Sequence, residues 1–581
     1  MNTQIDLKSI LEINYPGFFN TGKYIKEKIV LRLLNWLLHI AEINSFLEKH
    51  SGEGPKRFLE NAFDELDISY IVSQRERDRI PSEGRLLIAA NHPFGGIDGL
   101  MLVKLVLEVR KDVKVIVNDF LMSIDNLQEY FLPYNMNGIS VQRKELTDIN
   151  TALQNEMAVI IFPAGEVSRF GMSGIRDRKW LKGLIYFTRK NSAPVLPLFV
   201  HGRNSLLFYA AALLNNKLAL LMLPRELFNK KGTTVKINIG NYIPAAAFNS
   251  GIKNEKYLAK LVKKHVYAIG KNKPGIFYTE KTIKHPVSPR SIRRELRSTE
   301  MLGALPDGKY IYLVDADSAP DTIDEIGRLR EITFRRVGEG TGLKTDLDKY
   351  DKYYKHIVLW DDHQLDIVGA YRVGFGCHIV QGGEKKCFYS QTLFSFTGEL
   401  TNLLPDALEL GRSFVQAKYW NTAALDYLWY GIGALLCRNP QIKYLFGPVS
   451  LSAAYPQEVM QMLVFFYRKW FPAGIKFAVA KNHVLIPADM SKAFTEIFSS
   501  FDYKADFKML KKLMKVKGFT VPTLFKQYSE VAYDGGATFS DFSIDPDFNN
   551  CVDGFIMIEV DMIKDEKKEK YIYSHLLQEA I

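Results

Sequence analysis

No stretch of this 581-residue chain stays apolar for the roughly 18 to 20 residues that a membrane-spanning helix needs. The nearest, Leu206 to Pro224, is interrupted by Asn215-Asn216-Lys217, so the chain is expected to lie on a membrane rather than cross it. Its first residues, Met1-Asn2-Thr3-Gln4-Ile5-Asp6-Leu7-Lys8, lack the basic-then-apolar build of a secretory leader. Cysteine is scarce: Cys377, Cys387, Cys437 and Cys551 show neither C-x-x-C pairing nor a histidine at metal spacing. They predict reduced thiols in a cytoplasmic protein and no metal centre. Zinc-finger spacing, an RNA-recognition motif and a basic zipper are all missing, which sets nucleic acid aside as a partner. Repeats and long amphipathic hairpins are missing too, which argues against a pore-forming protein. Acidic residues are in deficit, 65 against 76 basic ones, and the net charge of +11 suits an anionic lipid surface or an acidic carrier protein.

What is present reads as globular. The chain is 47% hydrophobic and 12% aromatic, and is long enough for at least two cores. Residues 1–65 look helical, and Ile29 to Ile40 forms a broad apolar face bearing Trp36, suited to packing on the first domain or to lying on a membrane. From 66 to 297, apolar strands such as Leu86–Ala90, Val113–Val117, Ala158–Phe162, Val195–Val200 and Thr234–Ile239 alternate with helical segments, an α/β pattern. Phe208-Tyr209 and the leucines around Asn215 are further interfacial candidates, or a buried hairpin. The stretch 251–297 is rich in Lys and Arg, and its end reads as an interdomain linker. Residues 298–581 begin a second α/β domain.

The first half is organised around Asn91-His92-Pro93-Phe94-Gly95-Gly96-Ile97-Asp98, which follows the apolar run Leu86–Ala90 and precedes a helical segment. Strand, glycine turn, helix is an order that sets an imidazole and a carboxylate beside a helix N-terminus. A neutral His takes a proton from an attacking alcohol while a carboxylate on its other nitrogen fixes the tautomer, and the substrate hydroxyl then serves as nucleophile. Taken alone, a pair such as His92 and Asp98 is more often a helix cap and a first-turn carboxylate favoured by the helix dipole. A second strand runs into Phe162-Pro163-Ala164-Gly165-Glu166-Val167-Ser168-Arg169, a Pro/Gly turn ending in a carboxylate, a hydroxyl and a guanidinium. From about 70 to 250 the chain resembles the glycerolipid (lysophosphatidic acid type) acyltransferases, marked by an Asn-His-x4-Asp block and a Phe-Pro-Glu-Gly block. Gly138-Ile139-Ser140-Val141-Gln142-Arg143 resembles that family's Gly-to-Arg segment, and Lys182-Gly183 and Val195-Leu196-Pro197 follow in its order. Here five residues separate His92 from Asp98 and Ala164 stands at the usual Glu, which suggests an acceptor other than glycerol phosphate. The resemblance implies His92 as base, Asp98 as its orienting group, and Arg143, Glu166, Ser168 and Arg169 near donor or headgroup.

The second half has its own constellation. Arg330 and Phe334 stand one helical turn apart, Asp348 and Asp351 form an Asp-x-x-Asp pair, Arg372 closes the strand Ile367 to Val373, and Leu408-Glu409-Leu410-Gly411-Arg412 follows. From about 305 to 560, this order resembles the N-acyltransferases of acyl-amino-acid lipids, the ornithine-lipid or hemolysin-like type, akin to acyl-homoserine-lactone synthases and to the GNAT fold. Val521-Pro522-Thr523-Leu524 and Ile544 through Asp553 match that family's closing segment. An amine attacking a thioester must be neutral, so a carboxylate such as Glu409, directly or through water, could remove its proton; Asp348, Asp351, Arg372 and Arg412 would then shape the amino-acid and pantetheine sites, with Arg330 and Phe334 also counted as substrate-binding. A Gly-rich pyrophosphate loop is missing near Arg412, which favours acyl carrier protein over coenzyme A as the acyl donor.

Together the halves resemble the bifunctional ornithine-lipid synthases of bacteria. The implied protein is an α/β two-domain acyltransferase without a bound cofactor, peripheral on the cytoplasmic face of the inner membrane. Its C-terminal domain would N-acylate an amino acid with a 3-hydroxyacyl thioester, and its N-terminal domain would O-acylate the resulting hydroxyl. Ornithine is the first-choice acceptor, glycine or serylglycine the second. A membrane-surface scaffold without catalysis is the rival of another class.

Overall fold

The computed structural model describes residue 8 and residues 24–117, 122, 124–134, 139–172, 174–215, 219, 221–249, 251–382, 386–548 and 550–573. It divides into two compact α/β units, Met1–Thr282 and Ile283–Ile581.

In the first unit the strands are β1 (Ser69–Ile71), β2 (Leu86–Ala90), β3 (Val113–Val117), β4 (Phe131–Pro133), β5 (Ala158–Ile161), β6 (Arg169–Gly171), β7 (Gly174–Arg176), β8 (Val195–Val200) and β9 (Thr234–Ile239). Seven of them form a sheet in the order β1-β9-β8-β2-β5-β3-β4, with β6 and β7 a separate hairpin. Every pair in the large sheet is parallel except β8 with β9. β2 and β5 are buried along their whole length, as unbroken apolar runs covered on both faces should be. Alternate residues of β2 serve opposite cores: Leu86, Ile88 and Ala90 pack with the helix Gly96–Leu107, while Leu87 and Ala89 pack with Leu184 and Val262. β2 and β5 are direct neighbours, Ala89 beside Ile161, so the two Pro/Gly turns at their carboxyl ends lie side by side. That adjacency builds the first site.

At the periphery one expectation changes and one open reading is decided. The end of the basic stretch forms the helix Pro289–Arg297, because Ile292 and Leu296 stand one turn apart and bury against Ile323 and Ile326 of the second unit. Phe208 and Tyr209 are buried within the helix Leu206–Leu214 and pack near Val167, whereas Leu206, Leu207, Leu213 and Leu214 of that helix are exposed.

The second unit has β10 (Glu300–Ala304), β11 (Lys309–Val314), β12 (Lys355–Asp361), β13 (Asp366–Phe375), β14 (Phe394–Phe396), β15 (Ala407–Val415), β16 (Tyr444–Leu451), β17 (Ala478–Ala480), β18 (Ala537–Asp545) and β19 (Cys551–Glu559). Eight form a sheet ordered β10-β11-β12-β13-β15-β16-β19-β18, antiparallel except where β15 meets β16. The helix Pro320–Arg336 packs on one face through Ile323, Ile326 and Leu329, and Ala424–Arg438 on the other through Leu428, Ile432 and Leu435. β15 and β16 pair only from Ala407–Tyr444 to Glu409–Phe446. Beyond that point β15 continues with β13, and β16 with β19, so the two strands splay into a wedge.

Their last close approach depends on Gly447, where a Cβ would stand 2.0 Å from the Leu410 carbonyl oxygen. Gly447→Ala is therefore expected to cost about 1–3 kcal/mol in denaturant unfolding of the second unit. Gly411→Ala, where an added Cβ meets nothing within 4 Å, should leave the midpoint unchanged.

Candidate active sites

At the end of β2, Asn91 ties the strand to its neighbour: its amide donates to the Val200 carbonyl at 2.9 Å and accepts from the Val200 N–H at 2.7 Å. His92 comes next, its ring stacked on Phe162 at 4.0 Å and 17% exposed, with Nδ1 3.0 Å from Asp98 Oδ2. A turn at Gly95, φ 101°, absorbs the fifth intervening residue, a backbone angle that favours glycine. Asp98 Oδ2 accepts the N–H groups of Phe94 and Gly95 at 2.8 and 3.1 Å, so the longer loop still returns the carboxylate to the ring. The contact is in range but not aligned as a straight hydrogen bond, as is common before substrate binds. Burial pushes the Asp98 carboxyl above its ordinary range, opposed by His92 and the two N–H donors. With Nδ1 at Asp98, Nε2 is the nitrogen left for a substrate proton.

The turn after β5 is stitched to this one. Ser168 N–H donates to the His92 carbonyl at 2.8 Å, and Ser168 Oγ donates to Asp177 Oδ1 at 2.6 Å. Asp177 also accepts the His92 N–H at 3.2 Å and Trp180 Nε1 at 2.8 Å. Asp177 is thus the knot of the site, and nothing in its sequence surroundings singles it out. Glu166 faces Arg169 at 3.4 Å and Arg178 at 3.6 Å. Arg169 is buried beside Phe208, and its Nη1 has no partner among the described residues. Arg143 stands apart, exposed on the helix Ile139–Gln154, its carbonyl accepting from Thr147 Oγ1. Gly138, expected to open that segment, lies outside the described residues.

In the second unit, charge is concentrated under the sheet. Arg330, fully buried, grips Asp351 with both terminal nitrogens at 3.0 and 2.9 Å and reaches Asp346 Oδ2 at 3.3 Å. Arg372 pairs with Asp348 at 2.7 Å and Asp351 at 3.3 Å, and His356 Nε2 lies 3.0 Å from Asp351. Asp348 and Asp351 also cap the short turn Lys349–Lys352 reciprocally, Asp348 accepting the N–H of Tyr350 and Asp351 that of Asp348. Arg412 completes the set at 3.4 Å from Asp346 and 3.7 Å from Asp348. Three guanidinium groups therefore face three carboxylates, and burial lowers the pKa of His356, opposed by Asp351. Arg330 and Arg372 pull Asp351 far below the carboxylate range despite its burial. Asp346 belongs to this network although the Asp-x-x-Asp pattern does not reach it.

Arg412 adopts φ 48°, a left-handed angle unusual for a side-chain-bearing residue within a strand. Its guanidinium lies over Phe548 at 4.0 Å and Tyr389 at 4.9 Å, and Phe548 meets Phe334 edge-on at 6.1 Å. The expected residues Arg330, Phe334, Asp348, Asp351, Arg372 and Arg412 are thus brought into one connected group.

Two family models fit the chain. Residues 23–273 match the model described as Acyltransferase, and residues 329–430 match the Acetyltransferase (GNAT) domain. A glycine N(alpha)-acyltransferase of Bacteroides thetaiotaomicron is 30% identical over 312 residues, covering 51% of this chain and 91% of that protein. A lyso-glycine lipid O-acyltransferase of the same organism is 33% identical over 274 residues, covering 46% of this chain and 97% of that protein. The chain belongs to these acyltransferases. Among solved structures, a CoA-dependent acyl-homoserine lactone synthase aligns with 46% of this chain and 94% of its own, at 10% identity and a TM-score of 0.21, too distant to carry an argument.

One expected catalytic role does not fit this acyltransferase. Glu409 is 1% exposed, and both oxygens are fully occupied. One accepts from the Ser390 N–H at 2.7 Å and from its hydroxyl, the other from the Tyr389 N–H at 3.1 Å and the Tyr354 hydroxyl. A carboxylate with four donors and no access has no lone pair for an amine proton. Glu409 instead fastens the turn Tyr389–Thr392, and with it Tyr389, beside Arg412.

Removing one member of a buried charge network strands the others. Arg330→Met is expected to destabilise the second unit by about 3–5 kcal/mol in urea unfolding, because Asp351 and Asp346 lose their main cation. The deficit should narrow as pH falls: Arg330 helps hold the Asp351 carboxyl far below its ordinary range, and the stability this gives is present at neutral pH and lost as pH falls through the carboxylate range of the unfolded chain.

Proposed function

We propose that this acyltransferase builds an acyl-amino-acid membrane lipid in two acylations, the second unit acting first. The observation that carries the reading is that one chain spans 91% of an N-acylating relative and 97% of an O-acylating one. In the first step the amine of an amino acid attacks a 3-hydroxyacyl thioester, giving an amide with a free hydroxyl. Glycine takes precedence over ornithine as the acceptor because both relatives are named for glycine. The wedge between β15 and β16 supports the donor's place, since its splayed edges offer unpaired backbone groups to an extended pantetheine arm. An acyl carrier protein is the proposed donor, with acyl coenzyme A the alternative.

In the second step, in the first unit, His92 Nε2 takes the proton of the lyso-lipid hydroxyl as it attacks a second thioester. Asp98 steadies the imidazolium that forms. Glu166, Ser168 and Arg169 border the same turn and are proposed to frame the headgroup, and Arg169, with its free Nη1, suits an acidic group. Arg143, exposed, is proposed only for outer contacts.

A lipid acceptor calls for a lipid surface. On the helix Tyr24–Leu37, Ile29, Leu33 and Trp36 are exposed, Trp36 by 73%, and Leu206, Leu213 and Leu214 are exposed on the helix that packs near Val167 of the β5 turn. No helix among the described residues is long and apolar enough to cross a membrane. With a net charge of +11, these features support peripheral binding to an anionic bilayer, proposed as the cytoplasmic face of the inner membrane.

His92→Ala, expressed in a bacterium, should leave the monoacylated amide to accumulate and abolish the diacyl product in lipid extracts. Undiminished diacyl lipid would remove the assignment. The double change Leu33→Asp and Trp36→Asp should lower flotation with anionic liposomes by about tenfold or more while the protein stays folded.

A further inference from the structure

Carboxyl groups outside the balanced network lie close against it. The β18–β19 hairpin carries Asp545, Cys551 and Asp553, whose ligand-type atoms all lie within 4.8 Å of one another. Half-buried Glu339 joins them from the loop after the helix Pro320–Arg336. Asp553, 3% exposed, accepts from Ser450 Oγ at 2.6 Å and from Cys551 Sγ at 3.5 Å. Burial and the surrounding carboxylates push the Cys551 thiol far up, so it acts as a proton donor to Asp553 rather than as a thiolate metal ligand. The charged and titratable groups facing Asp553 are Asp545 and Cys551 on its own hairpin, Arg412 on β15, Tyr389 from the turn that Glu409 holds, and Glu339.

Neither Asp553 nor Glu339 makes an ion pair among the described residues, although Arg412 acts on both across a longer distance. Arg412 is already shared between Asp346 and Asp348, yet its Nε has no partner while its side chain is only 9% exposed. Surplus negative charge beside one guanidinium with an unused N–H suits a zwitterion, its ammonium on the carboxylates and its carboxylate on the arginine. Arg412 and Ser450 both lie just beyond the last pair of β15 with β16, so the cluster borders the wedge. Ser450 is exposed, which gives the cluster access from solvent.

We infer that Asp553, Glu339 and Arg412 form the acceptor subsite of the second unit, holding a free amino acid by its two charges, with Asp553 taking the ammonium proton before attack. The inference rests on the N-acyl transfer proposed above and supplies the base that Glu409 does not. Asp553 takes one proton from the ammonium, and the freed lone pair forms the C–N bond. The thioester C–S bond then breaks with its electron pair on sulfur, and the leaving thiolate takes the second amine proton. Burial and Asp545 push Asp553 up to about 6, and burial and Asp553 push Glu339 up to about 7, near the pH at which such a proton must be received and released.

The test uses the purified full chain, a 3-hydroxyacyl thioester, and glycine against glycinamide, which keeps the amine but lacks the carboxylate; thiol release is followed against pH. The wild type should favour glycine by at least about tenfold in kcat/KM, and Arg412→Gln should remove most of that preference. Asp553→Asn should lower kcat by about 100-fold at neutral pH, with activity recovering as pH rises and the amine deprotonates unaided. If Asp553→Asn does not fold, Glu339→Gln should still shift the pH profile, and the wild-type preference stands as a separate measurement. A wild type indifferent between glycine and glycinamide, or an Asp553→Asn enzyme with the wild-type pH profile, would overturn the subsite. A folded wild type that acylates no amino acid would instead remove the N-acyl reading, and the subsite with it.

Discussion

The second unit depends on closing a charge balance inside its core. Arg330, Arg372 and Arg412 answer Asp346, Asp348 and Asp351 beneath the sheet, and each ion would cost several kcal/mol if left alone. The same ring of contacts fixes the short capped turn, draws the long helix onto the sheet through Arg330, and sets Arg412 at the mouth of the wedge. Because six side chains nearly exhaust one another, carboxylates added beyond them are available to a cationic ligand. In this way a structural constraint yields a binding site at its edge.

The first unit reaches its site by a different route. Two parallel strands buried on both faces deliver two turns side by side, and Asp177 joins them by accepting from one backbone and one hydroxyl. His92 and Asp98 need no long-range charge network, because local backbone donors hold the carboxylate. The site is consequently tolerant of the longer His-to-Asp interval: Gly95 can take the backbone angle that the extra residue demands.

Much of this was legible in the sequence. Apolar runs bounded by polar and turn-forming residues gave β2, β3, β8 and β9 at their observed limits, and motif order gave the acyltransferase and GNAT halves. The basic helix Pro289–Arg297 was less legible, since only two buried residues mark its inner face among many arginines. Glu409 shows what a motif leaves out. A carboxylate at a strand end reads alike whether it meets substrate or four internal donors, and only packing distinguishes the two. Asp177, Asp346 and Glu339 went unremarked, and Asp553 stood out only as the end of a matching segment, because each acquires its role from partners elsewhere in the chain. Phe208 and Tyr209, open in the sequence to either an interfacial or a buried place, could be decided only by packing: their helix presents its leucines outward and its aromatics inward.

The central claim, that one chain performs both acylations of an amino-acid lipid, is tested most directly by mass spectrometry of total lipids from a heterologous bacterium expressing it, against an empty-vector control. Two new species are expected, an N-(3-hydroxyacyl) amino acid and its O-acylated form, with a glycine headgroup fragment. Well-folded protein in the cells with neither species present would contradict it.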